Sequence, residues 1–479
     1  MATQTVEATD HKLLAAGEWT ETGEWSEVKS PYDGSVVGRV AYGGADDARR
    51  AIDAAEHAMR TPLPAHKRAA VLDGVAELLR ERRDEFARTI AEEAGKPLTT
   101  AGMEVDRAVQ TMTFSALEAR RLTGETVPMD AHPAGEGHAG LILRVPIGIV
   151  AAISPFNFPL NLVAHKVGPG FAAGCAVVLK PAGATPLSAL LLAQAFEDAG
   201  QPAGWLNVIV GKSRDIGDVL TEDERVRMIT FTGSSEVGWG IRARANKKKV
   251  SLELGNSTPL IVLADADLDK ASAAIAAHGY SFAGQSCISI QRVYVEDSVH
   301  DELMEKLTPK VAALKVGDPL DADTQVGPVI DHENRDRIKE WVDEAVSGGA
   351  KLVAGGAIDD AGLLQPVLLD DVALEMKVSC NEVFGPVVTV SRVSGLEQAV
   401  ELANGTNYGL QAGIYTQDIT KALRAARGLD FGGVTLNEAP TYRADQMPYG
   451  GVKDSGNTRE GPKFAVQEMT EPRMVVINL

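Results

Sequence analysis

The chain is short of cysteine, of basic charge and of long apolar runs. Three of its 479 residues are cysteine: Cys175, Cys287 and Cys380. They lie far apart, are odd in number and form no CxxC pair. That argues against a disulfide framework and a structural zinc site, so no metal is expected and a reducing compartment fits. No run of about 20 apolar residues is present to span a bilayer. The opening "MATQTVEATDHKLLAAGEWTE" lacks the basic start and apolar core of a secretory signal, so a cytoplasmic location is the expectation. Lys and Arg number 47 against 66 Asp and Glu, a formal charge of −19. This balance opposes binding to nucleic acid or to a membrane surface, because phosphate contacts need clustered cations. The one basic run, "NKKKV" at 246–250, reads as a solvated turn. The ordinary dinucleotide fingerprint GxGxxG is missing as well.

What is present is a chain long enough for two or three domains, with no internal repeat and no low-complexity segment. "ADDARRAIDAAEHAMR", from residue 45, has an acidic first turn and then apolar positions spaced at three and four. That spacing predicts an amphipathic helix, and similar patterns continue to about residue 121. The period then changes. "LILRVPIGIVAAISP", "AVVLKP", "LNVIVG" and "VRMITFTG" are β-branched runs closed by Pro or Gly and separated by helix-length segments. A second series, "PLIVL", "QRVYV", "KLVAGG", "PVVTV", "GIYTQ" and "GGVTLN", follows from about residue 256. Strands alternating with helices predict an α/β fold with two parallel sheets. The final "EPRMVVINL" reads as an apolar strand whose free edge invites pairing with another chain.

Several short stretches carry chemistry. "ITFTGSSEVGWGI" is a strand followed by Gly233, Ser234 and Ser235, with Gly238 near a helix start. Small residues there let backbone N–H groups approach a phosphate, although Trp239 after Gly238 excludes a P-loop; a plain strand-turn-helix explains the stretch equally well. Lys180 in "VVLKPAGATP" stands at a strand end, where ligands of open α/β sheets commonly lie, yet a surface lysine also fits. "SPFNFP" stiffens a turn around Asn157, whose amide is suited either to an oxyanion or simply to turn formation. Glu253 in "VSLELGNSTP" sits in an apolar run, so it is paired, hydrated or raised in pKa, the last case suiting a general base. Cys287 in "AGQSCISIQR" is by itself either a nucleophile or a small packed thiol.

Taken in order, "SPFNFP", "LKPAGATP", "FTGSSEVG", "LELGNSTP", "GQSCISIQR", "NEVFGP" and "MPYGGVKDSG" resemble the NAD(P)-dependent aldehyde dehydrogenases over nearly the whole chain. The form of the cysteine block and the late loop is similar to the branch acting on lactaldehyde, phosphonoaldehydes or, without phosphorylation, glyceraldehyde 3-phosphate. The resemblance implies that Cys287 attacks the aldehyde as thiolate and that the Asn157 amide and the Cys287 backbone N–H hold the oxyanion. Hydride then leaves for the nicotinamide, and Glu253 deprotonates the water that hydrolyses the thioester. Lys166 and Glu460 match positions that relay a proton from Glu253.

For the cofactor, the resemblance assigns Lys180 to the adenosine ribose, Ser234 to the pyrophosphate, and Glu382 and Phe384 to the nicotinamide ribose. Ile153, Ser154, Pro155, Phe156, Phe231, Gly233, Val237 and Leu254 would line the same channel. Gly183 stands where NAD-preferring relatives often carry Glu, so NADP is acceptable and the cofactor is NAD or NADP. Asn256 replaces a glycine of many relatives, implying a reshaped turn after Glu253. Arg107 matches an arginine that some relatives use for a substrate anion. Ser286 stands where some place a second arginine, which disfavours a two-arginine phosphate clamp. Phe158 and Arg443 complete the substrate candidates.

The fold implied is aldehyde dehydrogenase-like. A Rossmann-type cofactor domain would span 8–124 and 147–253, with an α/β catalytic domain over 254–445. A small β oligomerisation element would combine 125–146 and 463–479, giving a homodimer or homotetramer. The alternatives are capture of the thioester by coenzyme A, disfavoured by Glu253, and a non-catalytic binding protein of the same fold.

Overall fold

The computed structural model describes residues 9–479; residue 8, the expected start of the cofactor domain, lies outside them, as does the beginning of the stretch read for a secretory signal. Two seven-stranded sheets dominate. In the first, the strand order is Lys249–Glu253, Val226–Thr232, Ile149–Ile153, Val177–Lys180, Leu206–Val208, Leu13–Ala15, Glu18–Thr20. Its first five strands are parallel, and Leu13–Ala15 runs antiparallel to both of its neighbours. In the second, the order is Lys351–Ala354, Val367–Asp370, Val387–Val393, Ile290–Glu296, Thr258–Val262, Gln411–Tyr415, Gly433–Leu436, parallel except at the Lys351–Ala354 edge. Every residue of Ile149–Ile153, Val177–Lys180 and Thr258–Val262 is buried, as expected of parallel strands covered on both faces.

The helical stretch read from about residue 44 resolves into Ala45–Met59, Ala65–Glu81, Arg83–Ala94 and Leu98–Arg121. In Ala45–Met59 the Asp47 side chain accepts the Gly44 N–H at 2.8 Å, satisfying an orphan donor of the first turn. Its buried residues, Ala48, Ala51, Ile52 and Ala55, keep the three-and-four spacing.

Two features depart from the sequence reading. "LILRVPIGIVAAISP" is two strands, His138–Pro146 and Ile149–Ile153. The break falls at Gly148, whose φ of +130° suits glycine and where a Cβ would stand 2.5 Å from Arg227. His138–Pro146 pairs instead with Thr470–Asn478 along nine residues and with Glu125–Val127, forming a small antiparallel sheet. Residues before 44 also form short strands, and Asp10–His11, Val36–Ala41 and Trp25–Lys29 make a further sheet. Runs of two to six residues without regular alternation gave no signal for them. Among the described residues, no helix is long and apolar enough to cross a membrane.

Candidate active site

Between the two large sheets the strands present opposite ends. The first sheet contributes C-terminal ends: Ile153 lies beside Lys180 and Phe231, and Thr232 beside Glu253. The second contributes N-terminal ends, because Cys287 precedes Ile290–Glu296, and Glu382 and Phe384 precede Val387–Val393.

The segment leading to Cys287 is left-handed at three successive residues, Phe282 (φ 50°), Ala283 (φ 52°) and Gly284 (φ 70°). Only glycine fits the third position, since a Cβ there would stand 2.0 Å from the Gly385 carbonyl oxygen. This tight turn brings Cys287, half-buried, to the cleft, with Sγ 3.0 Å from the Tyr449 hydroxyl. Burial pushes the thiol up to about 12; the Tyr449 hydrogen bond and the Arg443 charge oppose that shift, and the Glu382 and Glu253 charges add to it.

Asn157 is buried in the proline-flanked turn after Ile149–Ile153. Its Nδ2 donates to the Gln285 carbonyl oxygen at 3.0 Å, which fastens the amide to the loop that carries Cys287. An amide nitrogen carries two hydrogens, so one remains for a substrate oxygen.

Glu253 ends Lys249–Glu253, and both of its carboxyl oxygens are buried without a hydrogen-bond partner among the described residues. Burial raises its pKa well above the usual carboxylate range, and the Glu460 charge adds to the effect. Of the three outcomes open to a carboxylate in that apolar run, the structure takes the third. Gly450 makes room for it: a Cβ there would be 2.6 Å from Glu253 Oε1.

Beside it, the buried Lys166 ammonium donates to Glu460 Oε1 at 3.1 Å and to the Thr232 hydroxyl at 2.6 Å. Glu460 also accepts from Arg443 Nη2 at 3.0 Å. Although burial works against it, the two cations hold Glu460 down at about 2. Lys166 and Glu460 are thus an ion pair next to Glu253, with no direct hydrogen bond to it.

A cleft of about 1020 Å³ runs from Cys287 and Asn157 along the first sheet. It is lined by all thirteen positions read as cofactor-binding: Ile153, Ser154, Pro155, Phe156, Lys180, Gly183, Phe231, Gly233, Ser234, Val237, Leu254, Glu382 and Phe384. Lys180 is buried, not a surface lysine, and its one hydrogen bond runs to the Pro181 carbonyl oxygen at 3.3 Å, so burial lowers its pKa to about 8. Ser234 is the N-cap of Ser235–Arg244 and its hydroxyl makes no capping bond, leaving the helix start free for an anion. Ser154 Oγ is another buried polar atom without a partner. A Cβ at Gly183 would meet nothing within 4 Å. These uncommitted donors and open spaces fit a nicotinamide dinucleotide.

At the Cys287 end of the cleft, Glu382 accepts the Asn256 N–H at 2.9 Å, and burial raises its pKa to about 7. Gly255 permits this approach, because a Cβ there would lie 2.3 Å from Glu382 Oε2. Asn256 does not need glycine's freedom, since its φ is not positive. Its side chain instead donates to Thr258 Oγ1 at 2.7 Å and to the Gln411 carbonyl oxygen at 3.1 Å, bracing the turn after Glu253. The Phe384 and Phe156 rings meet edge to face with centroids 5.8 Å apart.

The substrate candidates are more scattered. Arg107, partly exposed on Leu98–Arg121, donates to Asp445 at 2.9 Å. Asp445 also meets His165 Nε2 at 3.0 Å and Asn161 Nδ2 at 3.3 Å. Arg443 is buried and committed to Glu460, with its guanidinium 3.8 Å above the centre of the Tyr449 ring. Phe158 lies under the Lys96 ammonium at 3.7 Å. Ser286 lines a small recess with Glu382 and Phe384. The sequence reading missed Ser213, Arg214, Arg244 and Arg337 at the cleft. The first two begin the helix Ser213–Glu222, just after the C-terminal end of a parallel strand, and that placement rule was the available signal.

A model of the aldehyde dehydrogenase family matches residues 19–475. The 3-sulfolactaldehyde dehydrogenase of Priestia aryabhattai is 44% identical over 477 residues, covering 100% of both chains. The NADP(+) succinate-semialdehyde dehydrogenase of Escherichia coli (strain K12) is 39% identical, with 98% of each covered. The crystal structure of aldehyde dehydrogenase 21 from Physcomitrella patens, in complex with the reaction product succinate, superimposes with a TM-score of 0.95 at 40% identity over 99% of each chain. The chain belongs to the aldehyde dehydrogenase family. It is an NAD(P)-dependent oxidoreductase that converts a small aldehyde into its carboxylic acid.

Proposed function

We propose that Cys287, Asn157 and Glu253 carry the oxidation, and that the substrate is a small aldehyde bearing an anionic group. The observation that supports the roles most strongly is that Cys287 and Asn157 border the same cleft as the candidate cofactor positions, beside a buried carboxylate with no partner. The Cys287 thiolate adds to the aldehyde carbon, and the free Asn157 N–H and the Cys287 backbone N–H receive the oxyanion. The bound nicotinamide supplies the hydride acceptor at this point. Glu253 then takes a proton from water, the hydroxide displaces sulfur from the thioester, and the acid leaves. Lys166 and Glu460, ion-paired beside Glu253, relay its proton onward. Lys180, Ser234 and Glu382 would hold the cofactor, and open space at Gly183 accommodates the 2′-phosphate of NADP as well as NAD.

For the substrate, Arg107, paired with Asp445 but keeping further N–H donors, is the cation offered to an anionic group. Relatives named for sulfolactaldehyde and succinate semialdehyde support this choice of class. The protein works in the cytoplasm as a homodimer or homotetramer. Thr470–Asn478 leaves one edge of its small sheet free, with Met474, Val476 and Ile477 exposed, and that supports pairing with another copy. The same sheet supports reading 125–146 and 463–479 as one element, with 8–124 plus 147–253 and 254–445 as the other two domains.

The test is a matrix of sulfonated, carboxylated, hydroxylated and neutral small aldehydes, each assayed with NAD and NADP. Anionic aldehydes should give the highest kcat/KM, and Arg107→Leu should raise KM for them alone. Equal use of a neutral aldehyde of the same size would remove the substrate class. Substantial steady-state oxidation by Cys287→Ala would remove the mechanism.

A further inference from the structure

The catalytic assignment leaves Tyr449 and Arg443 without a role, although both sit beside the sulfur. Tyr449 is buried and its backbone is locked to Glu460 by an antiparallel bridge, its N–H donating to the Glu460 carbonyl oxygen at 3.1 Å. Its hydroxyl lies 3.0 Å from Cys287 Sγ. The Arg443 guanidinium covers the ring face at 3.8 Å and is held there by Glu460 at 3.0 Å. A cation on the face of a phenol draws electron density from it and makes its O–H a stronger donor.

We infer that Tyr449 is a catalytic residue that donates its hydroxyl to the Cys287 thiolate, and that Arg443 is the positioning residue that holds and polarises it. This rests on the reading of Cys287 as the nucleophile. The charged and titratable groups acting on the sulfur are Glu253, Glu382, Arg443 and Tyr449. Both carboxylates oppose a thiolate; only Arg443 and the phenol favour it. Burial keeps the Tyr449 phenol well above its usual pKa, so it stays protonated and donates. Ionisation breaks the S–H bond, leaves the electron pair on sulfur and releases the proton to solvent through the cleft. The donated hydrogen bond enlarges the thiolate fraction and lowers the intrinsic nucleophilicity somewhat. Because burial first, and the Glu382 and Glu253 charges after it, hold that fraction low, the gain dominates.

The test reads the sulfur directly. The rate of Cys287 alkylation by iodoacetamide, in which an S–C bond forms and iodide leaves, is followed across a pH series. Mass spectrometry of the Cys287 peptide keeps Cys175 and Cys380 out of the signal. Tyr449→Phe should move the midpoint up by about one to two pH units, the scale of a hydrogen bond to a charged group. Arg443→Met should move it in the same direction by less, and Arg443→Lys should restore part of the difference. An unmoved midpoint in Tyr449→Phe overturns the proposal, even with a reduced kcat. Should that variant not fold, an unmoved midpoint in Arg443→Met does so. Failure of the nucleophile assignment is separately visible as oxidation by Cys287→Ala.

Discussion

The Lys96 ammonium lies 3.7 Å above the ring of Phe158, the residue next to Asn157, and 4.6 Å from the ring of Phe282, which opens the left-handed turn before Cys287. Lys96 is fully buried and its charge is answered by Glu104, which also accepts the N–H groups of Leu160 and Asn161 at 3.0 Å. One cation therefore holds together the two segments that carry Asn157 and Cys287. Removing it strands the Glu104 charge, so Lys96→Met should cost about 3–5 kcal/mol, the range for breaking a buried pair. Denaturant unfolding measures it. Lys96→Met combined with Glu104→Gln should recover part of the loss; no recovery would show that packing on the rings, not the charge, dominates.

In the proposed mechanism Glu253 sets the pH response of the second half of the reaction. Its pKa is raised, by burial first and by Glu460 next, and a base acts only when deprotonated. Thioester hydrolysis should therefore rise with pH through a midpoint above the ordinary carboxylate value of about 4.3. Glu253→Gln should give one burst of reduced nicotinamide per site and then stall. Rapid-mixing absorbance with mass spectrometry of the acylated chain separates the two steps.

The same carboxylate has the opposite sign for folding. A carboxyl with a raised folded pKa favours the fold fully below its unfolded pKa, and that contribution is lost as pH rises through the folded value. At neutral pH, Glu253→Gln should be more stable than the native chain, because the buried carboxyl must there be either desolvated as an anion or protonated, and the amide needs neither. A lower unfolding midpoint for the variant at neutral pH would contradict this.

Asn157→Ala removes the side-chain donor and leaves the Cys287 backbone N–H in place. The expected loss is roughly 10²–10³ in kcat, the range for one oxyanion donor. Alkylation of Cys287 should continue, which distinguishes a lost donor from a collapsed loop.

Gly183→Glu tests the cofactor reading. A Cβ at that position meets no atom within 4 Å, so a carboxylate is accommodated and would repel a 2′-phosphate. KM for NADP should rise roughly tenfold or more, about 1.4 kcal/mol, with KM for NAD little changed. Equal effects on both cofactors would place the adenosine ribose elsewhere.

Much of this site was legible because its chemistry is attached to strand ends. Lys180 and Glu253 end, and Ser234 follows, β-branched runs that read as parallel strands, and ligands gather at the ends of such strands. The helices between residues 45 and 121 were equally plain, since apolar positions spaced at three and four over several turns line one face of a helix and both faces of a strand. The short strands before residue 44 were not, and neither was the break at Gly148 that sends His138–Pro146 to another sheet. Strand pairing is a long-range choice, and a local period does not encode the partner.

By itself, the sequence determined the family, the α/β class, and which residue types stand ready for thiol, amide and carboxylate chemistry. Tertiary structure alone decided which of them are free to act. It left Glu253 without a partner while committing Glu460 to two cations, buried Lys180, tied Arg107 to Asp445, and placed Tyr449 on the sulfur beneath Arg443. The reason is physical. A side chain's charge state and availability depend on desolvation and on partners within a few ångströms. Those partners come from segments up to 338 residues away in the chain.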